Sequence, residues 1–566
     1  MLGIELIDWA VIILYLVGIT AIGLWAMKKV RSSTSFFIGD RKFGKVMMAF
    51  FMFGSGTHSD QAVSVAAKTY RSGASGIWYQ WLWLFVTPFF WLIAPFFRRM
   101  RAVTTGDYFE FRYGRSVSGL YAAMGILPLL VAIGVMLKGS GAMVKAVSGG
   151  AISANLAIVA MTVMFVIYGI AGGLSAAIAT NFVQGLLTIV LSFLILPFAL
   201  NKVDGMSGLR ESMSDPHMLS LVSPGEITLF YIIVIAFNAL VGWVTMPETM
   251  ANCAAGKTEM EGRVGVTVGI FGKRICTIAW MLTGLCAVVM YAELADPDLA
   301  YGKMARDLLP GIAPGLIGLF IACMLASVMS TCDSLMVVAS ALFTENLYKK
   351  FFVAGKPDKH YTLVGRIASG LVVLLGILVA FNLESVVKGL EFYWMVSALM
   401  GIAFWCGLFW RRATAAGAWA ATLTSLAVFM FTSVKPLGIP WDFNAHFADK
   451  LPAFMLWNGQ LYLPWQMILY LLAGFVVLVV VSLCSRRVPA ERLDRLYACL
   501  RTPVGPDEPE TLPLTLPAGV KPGPRSVLID HPDFEIPRPT LVGVGGFLAA
   551  WVAVGLLIGA VYWIIG

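Results

Sequence analysis

The sequence predicts an all-α polytopic membrane protein, on three observations. Of its 566 residues, 59% are hydrophobic and 13% charged, where a soluble domain carries roughly 45–50% apolar and about 25% charged residues. Apolar runs recur from end to end, each long enough (about 18 residues or more) to cross the ~30 Å hydrocarbon core as a helix. The Lys and Arg behind the net charge of +9 gather in alternate connecting segments, as they do on the cytoplasmic side of membrane proteins.

Fourteen spans are expected, at 7–27, 45–70, 77–97, 116–144, 154–171, 182–200, 226–248, 264–291, 313–345, 363–383, 386–410, 414–433, 463–484 and 541–565. The first follows an acidic start, MLGIELID, with neither a basic n-region nor a small-residue cleavage site, so it reads as a retained helix. Placing the N-terminus outside puts MKKVR, DRKFGK, FFRRMR, FRYGR, GKTEMEGR, GKR, YKKF, KPDKH and WRR inside. With the tail, these hold most of the 41 Lys and Arg, and the outer loops at 201–225 and 292–312 are acidic by contrast. The expected location is the cell (plasma or inner) membrane.

Residues 485–540 interrupt the apolar pattern. They start as a basic amphipathic helix and turn Pro-rich, which reads as a cytoplasmic linker without a core of its own that can dock on the inner loops. The eight cysteines show no C-x-x-C spacing, so neither a disulfide framework nor a zinc site is indicated. No Walker motif, metal-ligand cluster or nucleophile motif is present, so no enzyme is expected. The excess positive charge is explained without nucleic acid.

Two spans carry signs of interruption. The second contains FMFGSGTHSDQAVS, where Gly54 and Gly56 bracket Ser55 and are followed by Thr57, His58, Ser59, Asp60 and Gln61. Glycine loosens a helix, and so many polar groups at membrane depth must face a cavity or a ligand. A break here frees carbonyls for a cation and amides for an anion. The seventh span has Gly242 and Pro247 in VGWVTMPETM, and proline kinks or ends a helix. Two interrupted helices five spans apart suit two inverted five-helix repeats, spans 2–6 and 7–11. Close packing by small residues with a simple proline kink fits the same pattern.

In LASVMSTCDSLMVVASALFTENLY, residues 325–348, Ser327, Ser330 and Thr331 are spaced i, i+3, i+4 and share a helix face. Three oxygen-bearing side chains at membrane depth suit a hard cation such as sodium. The same spacing also suits hydroxyls bonded to their own helix or to a neighbour.

Together with these stretches, the motifs FFIGDRKFG at 36–44, YFEFRYG at 108–114, VMLKGSGAMV at 135–144, YGIAGGLSAAIATNFVQG at 168–185, ANCAAGKTEMEGR at 251–263 and LFWRRATAAGA at 408–418 resemble the sodium:solute symporter family, from the first span to about residue 434. That resemblance implies a leucine-transporter-type fold, a 5+5 inverted repeat with one preceding and three following helices. The domains would be 1–44 (extra helix and inner loop), 45–200 and 226–410 (the repeats), 411–484 (further helices), 485–540 (linker) and 541–566 (last span). It also implies alternating access driven by the sodium gradient. Laid on this chain, the family's main sodium site takes backbone carbonyls of Gly54, Thr57 and Ser327 and the hydroxyls of Ser330 and Thr331.

There are departures from the family pattern. Asn181 stands where members with a second sodium site have Asp, so one sodium per cycle is expected. Sugar carriers have Glu in a Tyr-Glu-Trp motif and Lys near position 282; this chain has Gln80 and Leu282. The substrate-binding candidates are His58, Asp60, Gln61 and Gln80. Gln61 matches a family position that contacts substrate, and an amide both donates and accepts. Gln80 sits among aromatics, as polar groups in small-molecule pockets do. His58 can bind substrate, carry a proton or simply support the fold. Asp60 can pair with a cationic substrate, with sodium at longer range, or with Lys68 two turns later. The expected partners are sodium, a small polar solute and the bilayer. A proton-coupled carrier and a non-transporting sensor of the same fold are the alternatives.

Overall fold

The computed structural model describes residues 4–27, 43–102, 104–434, 439–506, 508–509 and 511–566. The motif at 36–44 therefore lies largely outside the described residues, as do the side chains of 164, 165 and 167–179 within the motif at 168–185 and just before it. Helices dominate, and the two-residue strands Leu456–Trp457 and Gln460–Leu461 form the one sheet among the described residues.

Eight helices among the described residues are long and apolar enough to cross a membrane, and nine if one bent pair counts as a single span. Shorter apolar helices such as Lys45–Gly56 and Ala415–Phe431 accompany them. Asp358–Asn382, Leu463–Cys484 and Leu541–Ile565 turn Leu371, Phe475, Leu556 and similar side chains outward, as lipid-facing helices do. One expected turn is not seen: helical backbone runs unbroken from Ala154 to Leu194, across the anticipated boundary between the fifth and sixth spans. The intervening AGGLSAAIATN has a glycine pair but no proline or charge, and without a proline the glycines alone do not end the helix.

Both expected interruptions occur. The Lys45–Gly56 helix stops, Thr57 and His58 are extended (φ −126° and −140°), and Ser59–Ser72 resumes. Ser59 Oγ lies 3.0 Å from Ser140 Oγ on the Arg115–Val147 helix. A Cβ on Gly139 would stand 2.8 Å from the Asp60 Cα, so only glycine admits this crossing. Leu229–Trp243 and Pro247–Ala254 meet at 60°. Pro247 begins the second piece, where its missing amide costs nothing. Tyr121 steadies the corner by donating to the Thr245 carbonyl at 2.6 Å.

Segments expected on one side of the membrane meet at one end of the molecule. Arg98 donates to the Gly256 carbonyl, Arg99 pairs with Glu259, Lys350 with Asp107, and Arg112 donates to Gly407 and Trp410 carbonyls. The 485–540 segment docks on this end rather than trailing from it. Its helix Ala490–Arg501 buries Leu493, Leu496 and Leu500, while Arg411 pairs with Glu535 and Asp494, and Arg101 with Glu508. At the other end Lys68 pairs with Glu226, Tyr79 donates to Glu391, and Asp298 accepts from the Val386 amide.

Candidate functional site

The Leu316–Ala341 helix is buried along almost its whole length and lays its hydroxyl face on the first break. Ser330 Oγ is 3.0 Å from the Gly54 carbonyl oxygen and 2.8 Å from Asn181 Oδ1. Thr331 Oγ1 is 3.4 Å from the same Gly54 oxygen and 3.3 Å from the Ser327 carbonyl. Five oxygens thus converge with only two hydroxyl protons to share among them. A surplus of buried acceptors is the electrostatic condition a bare cation satisfies. Gly54, the Ser327 carbonyl, Ser330 and Thr331 come together, while the Ser327 hydroxyl donates to the Met324 carbonyl of its own helix at 2.8 Å. Thr57 is fully buried three residues beyond Gly54, its Oγ1 unbonded, and no hydrogen bond ties it to the other four. Gly54 is required sterically, since a Cβ there would stand 2.9 Å from the Asn181 carbonyl.

A cavity of about 130 Å³ opens beside this cluster, and Thr331 lines both. All four substrate candidates border it. The Gln61 amide Nε2 donates to the Gly56 carbonyl at 3.2 Å and to His58 Nε2 at 2.7 Å, while its Oε1 accepts from the His58 amide at 3.4 Å. It therefore satisfies the backbone groups that the break exposes. With Nε2 accepting, the His58 proton sits on Nδ1 and is donated to Asp60 Oδ1. Asp60 is thus held by His58; the anticipated Asp60–Lys68 pair does not form, because Lys68 reaches Glu226 at the far end of its helix. Gln80 is fully buried, and neither side-chain polar atom has a partner.

Sequence reasoning missed Lys273 and Arg274. It grouped them, as GKR, with the inner-side basic segments. In the structure they lie midway along Glu259–Met290, buried, on the cavity wall. Glu248, Thr249 and Asn252 complete a polar rim on the second broken helix, and Asn252 donates to Ser55 Oγ at 3.2 Å. The signal available in the sequence was two adjacent cations near the centre of an apolar run.

The model of the sodium:solute symporter family matches residues 36–425. The chain is 25% identical to a sodium/glucose cotransporter 1 of Sus scrofa, covering 87% of this chain and 81% of that protein. It is also 25% identical to the osmoregulated proline transporter OpuE of Bacillus subtilis, covering 86% and 96%. Among solved structures, a substrate-bound, outward-open sodium-coupled sialic acid symporter superposes with a TM-score of 0.71 at 18% identity, over 86% of this chain and 99% of that one. A nucleobase-cation-symport-1 family transporter in a closed conformation gives 0.51 at 13% identity, over 81% and 97%. These likenesses show the fold. The family match spans more than half of the sequence, and the chain belongs to the sodium:solute symporter family.

Proposed function

We propose that this protein is a sodium-coupled secondary active symporter that imports a small polar organic solute by alternating access. The observation that carries the reading is the contact of Ser330 and Thr331 with the Gly54 carbonyl at the break. Sodium would be held by the Gly54, Thr57 and Ser327 carbonyls and the Ser330 and Thr331 hydroxyls, and would tie the broken helix to Leu316–Ala341. Solute would occupy the adjoining cavity near His58, Asp60, Gln61 and Gln80. Because Thr331 belongs to both sites, each ligand should tighten the other by the same factor.

We read one sodium per cycle, since Asn181 offers Ser330 a neutral amide oxygen in place of a carboxylate. We also read fourteen crossings, two inverted repeats at 45–200 and 226–410, an outer N-terminus and a cytoplasmic 485–540 segment. The two broken helices and the gathering of the basic segments at one end support that reading. Sugar, amino acid and small carboxylate are the solute classes in view, and the cotransporter and proline-transporter relatives suit this range. The test is counterflow of radiolabelled sodium into proteoliposomes: the reading expects uptake that solute stimulates and that Ser330→Ala with Thr331→Ala abolishes.

Proton coupling is the second reading, and the His58–Asp60 pair on the cavity wall favours it. It predicts uptake that follows an imposed pH gradient and is indifferent to sodium.

A further inference from the structure

Lys273 and Arg274 stand where charge is costly. Lys273 is fourteen residues into Glu259–Met290, about 21 Å from the start of that helix, and the two side chains are 5% and 1% exposed. Their heads flank one indole: Lys273 Nζ and Arg274 Cζ lie 5.5 and 6.0 Å from the Trp83 ring centre. Arg274 is pinned, with Nη1 donating to the Gln80 carbonyl and its own carbonyl accepting from Trp81 Nε1 at 3.2 Å. Its Nε has no partner. Among the described residues neither cation forms an ion pair within 4 Å; the nearest compensation for Lys273 is the charge of Asp60 at longer range. Of the two acids on the cavity wall, Asp60 holds His58 through Oδ1 and Glu248 lies beside the Tyr393 hydroxyl, while Asp60 Oδ2 and Glu248 Oε2 have no hydrogen-bond partner.

Two buried, adjacent cations on a cavity wall, neither in a direct ion pair among the described residues, suit an anion from outside the protein. Resting on the symporter reading above, we infer that the solute carries a carboxylate, seated between Lys273 Nζ and Arg274 Nε. The unsatisfied Gln80 amide adds a donor to the same seat. A carboxylate presents two acceptor oxygens to these donors, whereas a sugar hydroxyl or a neutral amide leaves both charges uncompensated. The cavity holds on the order of ten water-sized groups, which suits a small organic acid rather than an oligomer.

The test is thermal unfolding of the purified full chain in saturating sodium chloride. Propionate, L-lactate, succinate and L-proline are compared with propionamide, lactamide, succinamide and D-glucose at matched sodium. At least one carboxylate should stabilise the protein while its amide and glucose do not. Lys273→Gln and Arg274→Gln should each raise the half-saturating concentration of that carboxylate by about tenfold or more, yet keep the shift that sodium alone produces, which certifies the fold. The inference is overturned if no carboxylate stabilises, if an amide or glucose does so equally well, or if both variants respond like the parent chain. Loss of the sodium-only shift in the parent chain is a separate outcome; it removes the symporter reading and with it this one.

Discussion

Gln61→Ala should destabilise the protein through the break it spans, whatever the solute. The Gln61 amide satisfies the Gly56 carbonyl, the His58 amide and His58 Nε2. Truncation leaves two backbone groups and a ring nitrogen without partners at membrane depth. A fully buried orphan costs about 1–3 kcal/mol. These sites border the cavity, so water recovers part of that, and the expected loss is about 2–4 kcal/mol for the set. Gln61→Glu keeps the acceptor for the His58 amide but loses both donors, and should fall between Ala and the parent. The assay is unfolding in detergent at fixed sodium, followed by tryptophan fluorescence, with sodium titrated for each variant. Because the break carries the Gly54 carbonyl, Gln61→Ala should also need more sodium for half-maximal stabilisation. A variant as stable as the parent, with unchanged sodium response and a defect confined to solute affinity, would refute the bridging role and make Gln61 a solute contact alone.

Further outcomes follow from the same geometry. Gly54→Ala brings a Cβ to 2.9 Å from the Asn181 carbonyl and 3.4 Å from Ser330 Oγ; the half-saturating sodium concentration in a stability titration should rise about tenfold or more. Asn181→Asp places a carboxylate where an amide oxygen now lies 2.8 Å from Ser330 Oγ, and should lower that concentration. Lys68→Met removes the partner of Glu226, whose side chain is 38% exposed; the expected loss is about 1 kcal/mol or less by denaturant unfolding. Cys484 is exposed at the end of Leu463–Cys484, while Cys253, Cys276, Cys286, Cys323, Cys332 and Cys499 are buried. On the proposed orientation, with the 485–540 segment cytoplasmic, an impermeant maleimide should label Cys484 in inside-out vesicles and spare it in right-side-out ones.

Much of the arrangement was legible because membrane depth makes polarity expensive. Gly54, Gly56 and the polar run after them announced a break, Pro247 announced the second, and the i, i+3, i+4 spacing of Ser327, Ser330 and Thr331 placed three oxygens on one face. What sequence could not supply was the partner across the fold. Lys68 and Asp60 are eight residues apart and invite a local pair, yet Glu226 and His58 take them separately. Lys273 and Arg274 looked like the basic end of a helix because Lys257 and Arg263 precede them. Once the helix is seen to start at Glu259, the same two residues stand at its middle. The 485–540 segment reads as polar, but its docking depends on Arg101 and Arg411, 407 and 124 residues before their partners Glu508 and Glu535, which composition does not reveal.

Sodium binding can be measured without any solute. The purified protein is unfolded thermally in sodium, potassium and choline chloride at matched ionic strength, alongside the double variant Ser330→Ala, Thr331→Ala. A cation at 100 times its dissociation constant adds roughly 2.7 kcal/mol to the folded state. Sodium held at Gly54, Ser330 and Thr331 gives a rise specific to sodium that the double variant lacks; equal stability in the three salts, or a sodium rise that survives loss of both hydroxyls, would exclude that site.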